Sequence, residues 1–191
     1  DGAPAGTIKH REPVMKGVKA LYLKELSELD GASGDEGRVR EFIKEKIKDK
    51  VDSLKVDIMG NLIALKKGTK SNRKFLLAAH MDEVGFMVTN IEDDGTLSFG
   101  PVGGIDPRVA VGKHVRIKGE LAGVIGYKAI HLQKKDELLA SPKFENLRIN
   151  IGAKSKEEAS RKVEIGDYVT FATDFRCENA RATGKAFDDR A

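Results

Sequence analysis

The first half of the chain carries apolar residues at the period of an α-helix. Between residues 16 and 30 these positions return to one side, which predicts an amphipathic helix over residues 16–30. The same spacing recurs over residues 39–47, with charged residues covering the opposite side. The intervening stretch GASGDEG offers Ser33 or Asp35 as the N-cap of this second helix. Two helices that pack on a flat partner are therefore predicted.

Two short apolar runs follow and predict strands. The first covers residues 61–65, after Gly60, and the second is FLLAAH at residues 75–80. The second run is apolar on both alternating faces. A strand that is buried on both faces belongs inside a sheet covered by helices. Residues 75–80 are therefore predicted to form a central strand of an α/β layer.

Beyond Glu83, glycines recur every few residues between short alternating runs. One helix is predicted in this region, over residues 155–163. Many short strands with little helix between them are typical of a small barrel or sandwich. The runs that predict strands are residues 84–88, 97–99, 114–117, 121–127 and 168–171.

Composition limits the classes of partner and compartment. Lys and Arg total 34 against 30 Asp and Glu, with both signs interleaved, and the chain has no Trp and only 6% aromatic residues. A nucleic-acid surface needs a basic stripe with stacking aromatics, so no nucleic-acid partner is expected. Cys177 is the single cysteine, which excludes an intrachain disulfide and favours a cytoplasmic location. Residues 75–79, the longest apolar run, fall short of the roughly 20 residues of a membrane span.

The strongest chemical signal is the sequence His80-Met81-Asp82 at the end of the apolar run. Residues two apart on a strand point to the same side, and neutral imidazole binds zinc and similar ions. A nearby carboxylate can orient such an imidazole. The alternative is a histidine that is only hydrogen-bonded structure. A second signal is the pair Asp188 and Asp189, which equally suits a solvated loop or a helix N-cap.

Together and in this order, these motifs resemble the M42 metallo-aminopeptidases, also called tetrahedral aminopeptidases. The resemblance runs from about residue 15 to the last residue. The matching stretches are SGDEGRVREFIKEKI, GNLIALKKG, LLAAHMDEVGFMV, GPVGGIDPRV, GVIGYKAIHL, NLRINIGAKSKEEA, VEIGDYVTF and ATGKAFDDRA.

The resemblance implies a fold with two parts. Residues 15–87 and 177–191 would form an incomplete α/β metallopeptidase domain, and residues 88–176 an inserted β-barrel used for dimerisation. Residues 1–14 are expected to be an expression tag or disordered. The implied assembly is a homo-oligomer in which dimers build a hollow dodecamer.

The resemblance also implies roles for individual residues. His80 would bind one metal ion, and Asp82 would be the catalytic acid that positions the imidazole. Asp188 would bridge two divalent ions, zinc or cobalt with manganese possible, and Asp189 would be its neighbour. In this family the peptide bond joining the two acidic residues is often cis. The implied reaction is removal of N-terminal residues from peptides by a water molecule that the two ions activate.

The chain departs from the family pattern at its end. The glutamates, a further acidic ligand and the last histidine of the family follow the point where this sequence stops, at Ala191. His80 and Asp188 alone leave a four-coordinate site two ligands short, so the chain is expected to be inactive by itself. A catalytically incomplete assembly or interaction module is therefore an alternative function. An endoglucanase is less favoured, because His80 would have no purpose in it.

Four other residues carry side chains that could take part in chemistry. His114 and His131 lie in the β-rich region, where a surface or structural role is favoured over metal binding. Cys177 has no histidine pattern around it and is expected to be an incidental thiol. Glu83 next to Asp82 is equally well explained as an outer acid of the metal site or as a simple strand-end charge.

Overall fold

A computed structural model of the chain describes residues 22–70, 73–178 and 181–190. The tag expected at 1–14 and the first part of the helix predicted over 16–30 lie outside the described residues. The helices are α1 (Leu23–Glu28), α2 (Gly37–Ile47), α3 (Pro107–Ala110), α4 (Lys135–Leu139), α5 (Lys156–Ser160) and α6 (Phe187–Arg190). The strands are β1 (Ser53–Val56), β2 (Leu62–Leu65), β3 (Gly85–Ile91), β4 (Leu97–Val102), β5 (His114–Ile117), β6 (Leu121–Gly126), β7 (Arg148–Asn150), β8 (Tyr168–Phe171), β9 (Arg176–Glu178) and β10 (Arg181–Thr183).

Six strands close into an antiparallel barrel in the order β3, β4, β7, β6, β5 and β8. The prediction of a small barrel in this part of the chain is therefore confirmed. Strands β5 and β8 have the predicted bounds, and the other three predicted runs overlap β3, β4 and β6. Strand β7 was not predicted. The helix predicted over residues 155–163 is present as α5.

The barrel core is formed by alternate residues of its strands. Phe86, Leu97, Ile117 and Ile149 have 0% exposed surface. The ring of Phe86 meets that of Phe99 edge-on at 5.0 Å, a favoured aromatic geometry. Buried and outward-facing positions alternate along β5 and β6, so a period of two is visible in these parts of the sequence. Of the buried hydrophobic residues in the described ranges, two lie outside this core, namely Ala32 and Val39.

Helices α1 and α2 precede the barrel, as predicted. The predicted N-cap of α2 is wrong: Glu36 occupies the N-cap position without a side-chain hydrogen bond. Ser33 does not cap the helix because its hydroxyl donates to the carboxylate of Asp82 instead. Helix α2 has 11 residues, and no helix in the described ranges is long and apolar enough to cross a membrane.

Two hairpins flank the barrel in sequence. Strand β2 confirms the strand predicted at residues 61–65, and it pairs with β1, which was not predicted. Strands β9 and β10 form a second two-stranded sheet. The outer faces of the β1–β2 hairpin and its turn carry exposed apolar side chains, among them Ile58 at 102% and Met59 at 80% exposure.

The prediction of a buried central strand at residues 75–80 is wrong for this structure. Residues 73–80 have no regular secondary structure and are exposed throughout. Phe75, Leu76 and Leu77 are 85%, 91% and 95% exposed. A strand interior needs hydrogen-bonded neighbours on its edges, and no described strand pairs with this segment. The segment therefore exposes apolar surface instead of burying it.

Candidate functional site

His80 and Asp82 contact each other directly. The Nδ1 atom of His80 lies 2.8 Å from Oδ1 of Asp82, and the hydroxyl of Ser33 donates to Oδ2 of the same carboxylate. The chain just beyond them is held in place, because Glu83 forms a parallel β-bridge with Ala32. The predicted pairing of imidazole and carboxylate is therefore present at the end of an exposed segment.

The charge of Asp82 determines which ring nitrogen of His80 carries the proton. The hydrogen bond from Ser33, followed by that from His80, lowers the pKa of the Asp82 carboxyl below its usual value. An ionised carboxylate only accepts hydrogen bonds, so Nδ1 of His80 is the nitrogen that carries the proton. The other ring nitrogen, Nε2, is then the atom with a lone pair for a metal ion. This arrangement of carboxylate and histidine is the one that metal sites use to orient an imidazole.

Asp188 lies on helix α6, near the end of the described chain. The residue is exposed. Ala186, directly before the helix, has a left-handed backbone with φ of 57°, an uncommon conformation for a residue with a side chain. No peptide bond among the described residues is cis, so the cis bond expected between Asp188 and Asp189 is not present. The two residues instead continue a helical turn, which trans peptide bonds build.

Arg190 holds helix α6 against the His80–Asp82 segment. Its side chain is 2% exposed. A guanidinium has five N–H donors, and here the distances to their acceptors run from 2.5 to 3.4 Å. The five acceptors are the backbone oxygens of Leu26, Leu29, Gly31 and Met81 and the Oε1 atom of Glu83.

Lys185 makes a second buried link between the two ends of the chain. Its Nζ atom lies 2.5 Å from Oδ1 of Asp30 and 2.8 Å from Oε1 of Glu83. The side chains of Lys185 and Glu83 are 5% and 4% exposed. We call Asp30, Glu83, Lys185 and Arg190 the buried ion network. Glu83 is therefore part of a buried ionic cluster, and the interpretation as a simple strand-end charge is wrong.

The barrel contacts the buried ion network at Asp30. Arg116 on β5 donates from Nε to Oδ2 of Asp30 at 3.1 Å, and Thr170 on β8 donates to Oδ1 at 2.7 Å. Burial alone would raise the pKa of the Asp30 carboxyl, but hydrogen bonds from Arg116 and Lys185 outweigh burial and leave the pKa below 3.8. Asp30 is therefore ionised at neutral pH, and it joins the barrel to Lys185, which lies just before helix α6.

A cavity of about 480 Å³ opens beside His80 and Asp82. Asp188 is not among its described lining residues, and within the described ranges no group of three or more His, Cys, Asp or Glu side chains is placed to hold a metal ion. Imidazole and carboxylate donors suit zinc, cobalt or manganese, so the residues present fit part of a metal site. The remaining lining is mainly apolar and includes Ile43, Ile47, Met59, Leu62 and Leu77.

The sequence pattern indicated His80, Asp82 and Asp188 but not the residues that support them. Ser33 was interpreted only as a helix cap. Lys185 and Arg190 stand inside the same motif as Asp188, and that proximity was the available signal. Of the other candidates, His114 and His131 are exposed, and Cys177 is half-buried on β9.

The chain was compared with known proteins. The family model described as M42 glutamyl aminopeptidase matches residues 60–191. The lysyl aminopeptidase of Pyrococcus furiosus is 35% identical over 175 residues, which cover 88% of this chain and 50% of that protein.

Two solved structures extend this likeness to the fold. A Thermotoga maritima structure described as an endoglucanase has 55% identity and a TM-score of 0.77, over 87% of this chain and 49% of its own. The TET1 peptidase of Pyrococcus horikoshii, described as able to assemble into a tetrahedron or a large octahedral shell, has 40% identity and a TM-score of 0.76. That match covers 88% of this chain and 51% of the TET1 chain.

The chain spans about half the length of the relatives it matches. The family model covers more than half of the chain, and the solved relatives share its fold over most of its length. The chain therefore belongs to the M42 glutamyl aminopeptidase family.

Proposed function

We propose that this chain contributes to a metal-dependent aminopeptidase that removes N-terminal residues from peptides. The observation that carries the proposal is the contact of His80 with an ionised Asp82, which orients the imidazole for a metal ion. His80 and Asp188 are the proposed metal-binding residues, and Asp82 is the proposed catalytic residue that keeps the proton on Nδ1 of His80. The names of family relatives support the reaction class.

The proposed cofactors are two divalent ions, zinc or cobalt with manganese possible. Such ions lower the pKa of a bound water molecule and polarise the carbonyl of the scissile bond. In this chain His80 would bind one ion and Asp188 would bridge the pair. That the chain is inactive by itself stays a prediction, since a four-coordinate site needs two ligands beyond His80 and Asp188.

The proposed partners are a peptide substrate and further copies of the chain. The barrel is the proposed dimerisation surface, and dimers would build a dodecamer in the cytoplasm. The support is the assembly behaviour described for the Pyrococcus horikoshii relative, which is 40% identical to this chain.

The proposed role of His80 as a metal ligand is tested by Co²⁺ binding, which is measured through the visible absorption of the bound ion. We expect the unchanged chain to develop a visible absorption band when Co²⁺ is added, and we expect His80→Ala to lose this band. The matched control is His114→Ala, which removes an exposed histidine of the barrel and should bind Co²⁺ as the unchanged chain does. Equal binding by the chain and by His80→Ala would contradict the proposal.

Release of amino acids tests the reaction. Peptides with a free N-terminus and the same peptides with an acetylated N-terminus are incubated with the chain, with and without Co²⁺. Release that needs both Co²⁺ and the free amine supports an aminopeptidase. A folded chain that binds Co²⁺ through His80 without releasing amino acids supports an incomplete site within the same enzyme class.

A catalytically incomplete assembly module is a second candidate function. The observation that favours it is the contrast between the fully packed barrel core and the exposed residues 73–80 beside the site. This function is supported when the folded chain forms dimers through the barrel and binds no Co²⁺ through His80.

An endoglucanase is less favoured, because the contact of His80 with Asp82 would have no purpose in it. A glycosidase needs two carboxyl groups beside the sugar bond, one of which stays protonated to serve as the general acid. Hydrogen bonds with Ser33 and His80 lower the pKa of Asp82, so Asp82 does not suit the role of that acid. Cleavage of a soluble β-glucan by the chain would contradict this conclusion.

A further inference from the structure

The buried ion network connects residues that are sequence neighbours of the proposed site. Glu83 directly follows Asp82, while Lys185 and Arg190 stand on either side of Asp188. Glu83 contacts both cations through one oxygen, at 2.8 Å from Nζ of Lys185 and 3.4 Å from Nη2 of Arg190. The same oxygen accepts from the backbone N–H of Gly31 at 3.1 Å. One carboxylate thus contacts Lys185 and Arg190, which lie before and after Asp188 in the sequence.

The space around Arg190 is shaped for a guanidinium. A Cβ atom added to Gly31 would lie 2.7 Å from Nη2 of Arg190 and 2.8 Å from Cγ2 of Val39, closer than such atoms approach. All five guanidinium donors have acceptors, four of which are backbone oxygens. A lysine has three donors in a compact group and cannot match this pattern. The contact is therefore specific to arginine and needs a glycine at residue 31.

Buried ion pairs are a poor means of gaining stability. The desolvation of each charge offsets much of the attraction, and apolar residues of the same volume often stabilise a protein equally well. What such a network does supply is a single geometry, because every donor and acceptor must meet its partner. Buried ions that link the chain segments carrying the proposed metal ligands therefore point to a role in placing those ligands.

We infer that Glu83, Lys185 and Arg190 are positioning residues for the metal site. They hold helix α6, which carries Asp188, against the segment that carries His80 and Asp82. Arg190 performs this by donating from Nε to the backbone oxygen of Met81, between the two site residues, at 2.7 Å. The inference rests on the proposed metal role of His80 and Asp188.

Two variants perturb the network in different ways. Arg190→Lys keeps the positive charge and removes the five-donor fork, and Gly31→Ala keeps every charged residue and crowds both the guanidinium and the Val39 side chain. The matched controls make the same chemical changes elsewhere. Arg108→Lys alters an exposed guanidinium that is paired with Asp106, and Gly104→Ala adds a methyl group with nothing within 4 Å.

The first readout needs no metal ion. Amide hydrogen exchange measured by mass spectrometry reports the opening of α6 and of residues 81–83 separately from the barrel. Arg190→Lys and Gly31→Ala should each speed exchange in these two segments by about tenfold or more, with exchange in β3 to β8 unchanged. Both control variants should exchange as the unchanged chain does.

The second readout is the affinity for Co²⁺ at a temperature where exchange shows the barrel of each variant to be folded. Loss of a residue that orients metal ligands typically weakens binding about 10- to 100-fold, and both network variants should fall in this range. A residue that serves stability alone would leave the affinity of the folded fraction unchanged. Glu83→Gln, which removes charge at nearly constant shape, provides a third variant should Gly31→Ala not fold.

The outcomes separate the inference from the proposed function. Local exchange or Co²⁺ affinity that is equal in the network variants and the unchanged chain overturns the inference. Absence of His80-dependent Co²⁺ binding in the unchanged chain overturns the proposed metal role. In that case, faster exchange of the network variants that is confined to α6 and residues 81–83 still supports the link between these two segments. Faster exchange of the variants throughout the chain contradicts it.

Discussion

The guanidinium of Arg190 donates to the backbone oxygen of Met81 at 2.7 Å, across a separation of 109 residues. The barrel strands from β3 to β8 lie between these two residues in sequence. The two halves of the proposed site are thus joined although the barrel strands separate them in sequence, and the barrel itself contacts the same network through Arg116 and Thr170. Chain segments on both sides of the barrel therefore meet at the buried ion network.

The carboxylate of Asp82 gives a first prediction. Asp82→Asn removes the negative charge that accepts from Nδ1 of His80, so the imidazole loses its fixed tautomer and orientation. We expect Co²⁺ binding to weaken about 10- to 100-fold, measured by isothermal titration, with the circular dichroism spectrum unchanged. Asp94→Asn is the control, because Asp94 is an exposed carboxylate that holds only the turn at Thr96. The same weakening in both variants contradicts the orienting role of Asp82.

The barrel was predictable because strands such as β5 and β6 alternate inward and outward residues, and this period is a local property of the sequence. The run 114–117 shows it plainly: Val115 and Ile117 are fully buried while His114 is exposed. The prediction of a strand at residues 75–80 is wrong because it depended on partners elsewhere in the chain. Their apolar pattern does predict a strand, but a strand forms only where neighbours supply hydrogen bonds, and the described chain supplies none there.

The site was predictable only in part. The spacing of His80 and Asp82 is visible in the sequence, and so is the motif around Asp188. The burial of Lys185 and Arg190 is not, because a charged residue is usually exposed and becomes buried only when distant residues supply partners. Those partners include Glu83, 102 positions before Lys185. No local pattern encodes a contact of that length.

The barrel core gives a second prediction. Leu97 on β4 has 0% exposure and lies between Ile91 and Ile149 in the strand register. Leu97→Ala leaves a cavity among packed neighbours and should lower the free energy of unfolding by about 2–5 kcal/mol, measured by urea denaturation. Leu139→Ala makes the same change at a residue that is 90% exposed and should alter it by less than about 0.5 kcal/mol. Similar losses in the two variants are incompatible with the packing described here.

Asp30 gives a third prediction, which concerns pH. Although burial raises its pKa, hydrogen bonds from Arg116 and Lys185 lower it below 3.8 overall. A carboxyl whose pKa is lower in the folded than in the unfolded chain adds stability above the unfolded pKa, and this stability is lost as the pH falls through the folded pKa. Asp30→Asn should therefore be less stable than the unchanged chain at neutral pH.

The stability difference between the unchanged chain and Asp30→Asn should shrink steadily as the pH falls below 3.8. The measurement is urea unfolding of both proteins across the acidic range. Asp93→Asn is the control, since the Asp93 side chain is fully exposed and its variant should follow the unchanged chain at every pH. A difference between the unchanged chain and Asp30→Asn that stays constant into strong acid rules out ionic stabilisation at Asp30.

The exposed segment at residues 73–80 gives a fourth prediction. Leu76 is 91% exposed, so its side chain packs against few other atoms and contributes little to the stability of the fold. Leu76→Lys should change the free energy of unfolding by less than about 0.5 kcal/mol, because surface substitutions away from packed features have small effects. It should also lower the binding of the dye ANS and the self-association seen by sedimentation, since a charge replaces part of an apolar patch. A loss of several kcal/mol would instead show that Leu76 is packed, as the original prediction of a central strand requires.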